Sequence, residues 1–158
     1  MAAKTPEKNV RLTLAADTAA DLMTANPVSV RDVATVQEIL ALLTDKGFSA
    51  APVIDEAGRP VGVLSRTDVI IHDREKVEYL APAPEEKQRQ GYQVVNVDRT
   101  RVREIMTPIV FSVTPDTPAS RVVAEMLSLK VHRLFVVDQA GVLVGVVSSM
   151  DILRHLRA

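Results

Sequence analysis

Laid against itself, the sequence keeps one register: Asp21 to Ile70 overlays Glu104 to Leu153 without a gap. Met23-Thr24 falls on Met106-Thr107, Ser29-Val30 on Ser112-Val113, Asp55 on Asp138, Gly58 on Gly141, Gly62 on Gly145, Ser65 on Ser148 and Asp68 on Asp151. Duplication of one supersecondary unit produces such a register, and it confines the chain to a fold made of two similar parts. One copy has apolar faces too small to close a core alone, so the copies should pack on each other about a pseudo-twofold axis.

Each copy reads as strand, helix, hairpin, helix. A short helix at Thr18 to Met23, or Val102 to Met106, precedes a brief strand at Val28 to Val30, or Val110 to Val113. Val36, Ile39, Leu40 and Leu43, and in the second copy Val122, Val123, Met126 and Leu127, mark one face of the next helix. Thr35 with Glu38 forms a capping box at its start, and Thr117-Pro118 is the corresponding signal in the second copy. Strands at Pro52 to Ile54 and Leu134 to Val137 then turn at Asp55 to Gly58 and Asp138 to Gly141. They return at Val61 to Leu64 and Val142 to Val147. The pattern predicts an α/β (α+β) fold of two repeats, each a small sheet with packed helices, at residues 18–80 and 102–158. Residues 1–17 read as a tail leading into the first helix. Residues 81–101, with Pro82, Pro84 and Gly91, read as a linker after a helix extending to about Leu80.

Composition excludes several functions. Lys and Arg number 19 against 20 Asp and Glu, so no net field draws the chain to nucleic acid or anionic lipid. There is no Trp, and few aromatics could stack on bases. No Cys is present, which removes disulfides and thiolate chemistry and fits a cytoplasmic location. No apolar run approaches the ~20 residues of a membrane helix. His72, His132 and His155 are the only histidines, and no nucleophile–base pair, metal triad or Gly-rich phosphate loop accompanies them. His72-Asp73 is a weak metal signal, and Arg154, His155 and Arg157 read as complements to a helix C-terminus. The chain is therefore expected not to be an enzyme.

The most informative motif ends each copy: Ser65-Arg-Thr-Asp68 and Ser148-Ser-Met-Asp151, each leading from an apolar strand into a helix. As a helix cap, Ser accepts from the third helical amide and the acid reaches back to the Ser amide, contributing ~1 kcal/mol. As a ligand site, the carboxylate accepts from vicinal sugar hydroxyls while helix amides favour an anion. The two roles are compatible: Ser65 can cap while Thr67 and Asp68 face a groove.

The segments "DLMTANPVSV" and "EIMTPIVFSV", with "APVIDEAGRPVGVLSRTDVI" and "LFVVDQAGVLVGVVSSMDIL", resemble a pair of CBS motifs, the cystathionine β-synthase repeat that forms a Bateman module. The resemblance implies a stand-alone regulatory or sensor module that binds AMP, ADP or ATP in grooves between repeats and pairs into homodimers. It implies an unidentified protein target and no required cofactor. His132-Arg133 resembles the γ subunit of AMP-activated protein kinase, in which these residues contact nucleotide phosphates; by itself such a pair is more often a polar strand edge. Carried over, Thr67 and Asp68 face His132 and Arg133 in one groove, with Pro27 and Val28 near adenine, and protonation of His132 strengthens phosphate binding. The other groove holds Ser148 and Asp151, with Met150 where the first has Thr67, and Ser49-Ala50 where the first has His-Arg. One competent and one weak site follow. The rival expectation is a dimerising, partner-binding module whose grooves take no nucleotide, or take S-adenosylmethionine or NAD(H).

Overall fold

The structure, a computed structural model, describes residues 9–80 and 98–158; most of the expected linker and of the tail lies outside them. Along the first copy run β1 (Thr13–Leu14), α1 (Ala19–Leu22), β2 (Thr24–Ala25), β3 (Val30–Arg31), α2 (Val36–Asp45), β4 (Ala50–Ile54), β5 (Pro60–Ser65) and α3 (Arg66–Leu80). The second has α4 (Val102–Ile105), β6 (Ser112–Val113), α5 (Ala119–Leu129), β7 (Arg133–Val137), β8 (Leu143–Ser148), α6 (Ser149–Arg154) and β9 (Leu156–Arg157). The predicted helices, hairpins and repeat are all present. The pairing of β1 with β9 and of β2 with β8 is not foreseen by the apolar pattern, because strands of two residues carry no periodicity.

The chain packs as two compact units that do not coincide with the two copies. The first-copy unit comprises Pro27–Val110 and Gly141–Leu143. The second-copy unit comprises Met1–Asn26, Phe111–Ala140 and Val144–Ala158. In the first, β3 runs parallel to β4 and β4 antiparallel to β5. In the second, the strand order is β2-β8-β7-β6, with β6 parallel to β7.

The two cores reuse the same repeat positions. Val30, Val36, Ile39, Leu43, Ala51, Val53 and Leu64 are buried in the first-copy unit; their counterparts Val113, Ala119, Val122, Met126, Leu134, Val136 and Val147 are buried in the second. What is exchanged is the short opening helix. Val102 of α4 joins the first-copy core, and Ala19 and Leu22 of α1 join the second-copy core. Backbone bonds fix the exchange: Ala19 N–H donates to Thr117 O at 2.8 Å and Ala119 N–H to Asp17 O at 2.9 Å. In the other unit Val36 N–H donates to Thr100 O and Val102 N–H to Ala34 O, both at 2.9 Å. Each helix start thus satisfies amides of a helix that lacks earlier carbonyls of its own.

Gly62 on β5 and Gly145 on β8 admit the Met-Thr pair that follows each short helix. A Cβ on Gly62 would stand 2.7 Å from Thr107 O, and one on Gly145 would collide with the Met23 side chain. The end of α5 is less well matched. Lys130 takes the left-handed conformation, φ 55°, where the aligned residue of the first copy is Gly47, φ 66°. Since a Cβ is disfavoured there, Lys130→Gly is expected to stabilise the protein by about 0.5–1 kcal/mol, read as a raised urea midpoint. An unchanged or lowered midpoint would show that Lys130 is not strained.

Asp98, just before α4, is tied to α3. His72 Nε2 lies 2.9 Å and Lys76 Nζ 3.6 Å from its Oδ2, and Thr100 N–H donates to its Oδ1 at 3.0 Å. His72, one half of the weak metal signal His72-Asp73, is thus engaged with Asp98. Burial alone would raise the Asp98 carboxyl, but bonds from Thr100 and His72 and the Lys76 ammonium hold it well below the usual carboxylate range. A carboxyl lowered on folding contributes stability above its ordinary pKa of ~3.9, and that contribution is lost as pH falls through the lowered value. The urea midpoint should fall as pH drops below about 4, and Asp98→Asn should flatten that fall. An equal slope in the variant would assign the acid sensitivity elsewhere.

Candidate functional site: the two Ser-x-x-Asp boxes

Both motifs are helix caps. In the first-copy unit Ser65 N–H and Oγ each donate to Asp68 Oδ2 at 2.8 Å, and Asp68 N–H donates to Ser65 Oγ at 3.2 Å. In the second-copy unit Ser148 N–H and Oγ donate to Asp151 Oδ2 at 2.8 and 2.9 Å, with the return bond at 3.2 Å. The carboxylate is itself an arm of the cap, so each Asp has one oxygen, Oδ1, left over for any other task.

The two Oδ1 atoms differ. Asp68 is half-buried, and among the described residues nothing bonds to its Oδ1. Asp151 is only 7% exposed; its Oδ1 has the Thr24 hydroxyl at 3.5 Å and Arg154 Nη1 at 3.7 Å. Of the other expected site residues, Pro27, Val28 and Thr67 belong with Ser65 and Asp68 in the first-copy unit, where Val28 and Thr67 are exposed. His132 and Arg133 belong with Ser148 and Asp151 in the second-copy unit. The His132 carbonyl accepts from Ser149 N–H at 3.0 Å, which seats the start of β7 beside the start of α6. Ser49 and Arg66 repeat that bond in the first copy at 2.9 Å. The His132 and Arg133 side chains are exposed, and among the described residues neither is engaged by a hydrogen bond or ion pair.

A polar concavity of about 440 Å³, lined by Leu14, Ala15, Ala16, Asp17, Asp21 and His155, lies in the second-copy unit and contains none of the expected site residues. Its Asp21 is lowered by the Thr18 and Asp17 amides, with His155 nearby, and it caps α1. His155 Nδ1 lies 2.7 Å from Asp151 O, and Arg157 donates to the Arg154 carbonyl at 2.8 Å, the helix-end role expected of this basic cluster. Among the described residues no group of three or more His, Cys, Asp or Glu could hold a metal, and no helix is long and apolar enough to cross a membrane.

A family model described as "CBS domain" matches residues 19–75 and 102–158, the two copies. The chain is a CBS-domain protein. Among curated relatives of this CBS pair, subunit gamma-3 of the 5'-AMP-activated protein kinase of Bos taurus is 36% identical over 135 residues, 80% of the chain and 24% of the relative. The chain spans about a quarter of the length of the first such relatives. Among solved structures, CBSX2 in complex with AMP superposes with TM-score 0.65 at 28% identity, covering 88% of this chain and 95% of that one. The cytosolic domain of the Mg2+ channel MgtE in complex with ATP superposes with TM-score 0.64 at 34% identity, covering 87% and 48%. A CBS pair thus stands here among relatives that carry adenine nucleotides, which supports a nucleotide-binding regulatory module.

Proposed function

We propose that this CBS pair binds AMP, ADP or ATP as a regulatory ligand and catalyses no reaction of its own. The observation that carries the reading is the half-exposed Asp68 carboxylate, rigidly held by its cap yet with one oxygen uncommitted. A carboxylate accepts only, so that oxygen suits the hydroxyls of a ribose, with Thr67 alongside. In this reading Ser65 holds the cap and Pro27 and Val28, in the same unit, contribute apolar contact to the base; His132 and Arg133 are the phosphate-contacting residues that the resemblance implies. The module pairs into homodimers, acts on an unidentified protein target and works in the cytoplasm, which its cysteine-free composition fits.

A ligand that binds only the folded chain must raise its melting temperature with occupancy. Titration of AMP, ADP and ATP, followed by calorimetry and by thermal unfolding, should give saturable heat and a rising midpoint. No shift at millimolar nucleotide would remove this reading and leave the partner-binding one, while a shift only with S-adenosylmethionine or NADH would replace the ligand.

A further inference from the structure

The second Ser-x-x-Asp box differs from the first in what stands on its leftover oxygen, and the strand pairing beside it differs as well. β2 forms a ladder with β8, Thr24 opposite Val146 and Ala25 opposite Gly145, prolonged by Asn26 N–H donating to Val144 O at 3.1 Å. In the second copy the corresponding pairing is the single bridge of Thr107 opposite Val63, and no bond aligned with that of Asn26 prolongs it among the described residues. The Thr24 hydroxyl lies 3.5 Å from Asp151 Oδ1, where Arg154 also approaches; among the described residues Asp68 Oδ1 has no partner.

We propose that Thr24 is a specificity-determining residue: it latches β2 to the second box, keeps Asp151 as a structural carboxylate, and limits the protein to one nucleotide per chain, bound at Asp68. The proposal rests on the nucleotide-binding reading for its stoichiometry but not for its latch. A ribose reaching Asp151 would have to displace a hydroxyl that the strand pairing holds in place and enter a site closed to all but 7% of the residue's surface. At Asp68 the same ribose meets an oxygen that no other group occupies among the described residues.

Two measurements decide it. Calorimetry with ADP should give one equivalent per chain. Asp68→Asn should weaken binding by about 30-fold or more, and Thr24→Val should change the affinity of that event by less than about 3-fold. Two equal sites in the wild-type chain, or a loss in Thr24→Val as large as in Asp68→Asn, would overturn the assignment. Independently of any ligand, melting temperatures of Thr24→Val, Asp151→Asn and the double variant should be non-additive. The matching set at Thr107 and Asp68 should be additive. Additivity at Thr24 and Asp151 would overturn the latch even if nucleotide binds. Absence of nucleotide binding with non-additivity at Thr24 and Asp151 would instead defeat the ligand reading and the stoichiometry while leaving the latch established.

Discussion

Leu22→Ala is expected to destabilise the protein by about 3 kcal/mol, within the ~2–5 kcal/mol usual for emptying a fully buried leucine site. The residue sits in a helix of four residues, too short to be stable by its own hydrogen bonds. Its side chain is nevertheless 1% exposed, as deeply buried as Leu134 in the middle of β7, because α1 packs into the core built by α5, β7 and β8. The substitution leaves a cavity among Val122, Leu134 and their neighbours that so short a helix cannot refill without losing its bonds to Thr117 and Pro115. Ile105 holds the aligned place in α4 but is only partly buried, so Ile105→Ala should cost less. Urea unfolding of both variants measures the pair. A loss below about 1 kcal/mol for Leu22→Ala would mean that α1 is an ornament on the second-copy core.

Arg133→Ala is expected to reduce affinity for AMP, ADP and ATP by about 10–100-fold with little effect on folding. The guanidinium is exposed and, among the described residues, makes no hydrogen bond or ion pair, so its removal strands no partner. A phosphate can accept two parallel N–H bonds from it, and hydrogen bonds to charged groups contribute about 1.5–3 kcal/mol, which corresponds to that range of affinity. Arg133→Lys keeps the charge but loses the fork and should recover only part of the loss. The wild-type affinity should also fall as salt is raised, and the salt dependence should shrink in Arg133→Ala. Calorimetry at two ionic strengths provides the comparison. Equal affinity in wild type and Arg133→Ala would leave His132-Arg133 as a polar strand edge.

Much of the fold is legible in the sequence because the repeat supplies two readings of every element. Val36, Ile39 and Leu43 announce α2, Gly58 and Gly141 announce the hairpin turns, and Thr35 with Glu38 forms the capping box that their spacing predicts. The exchange of α1 and α4 is not legible. A helix of four residues shows that it has an apolar side but not which of two nearly identical cores receives it. The clasp of His72 and Lys76 on Asp98 is hidden for a related reason, since its members are separated by the intervening linker residues and share no motif.

The candidate site was half visible. Ser65 to Asp68 and Ser148 to Asp151 read alike, and both form the cap that the spacing allows. Their difference in burial and in the second oxygen goes with Thr24, which lies far away along the chain and looks the same as Thr107 in the repeat alignment.

The exchanged helices make the copy and the folding unit different objects. A fragment that stops before α4 contains every strand of the first-copy sheet yet lacks Val102, and a fragment that starts at α4 lacks Ala19 and Leu22. Neither half holds the opening helix that fills its core in the whole chain. Each takes its opening helix from the other copy, so fragments cut between Leu80 and Asp98 are expected to be more stable together than apart.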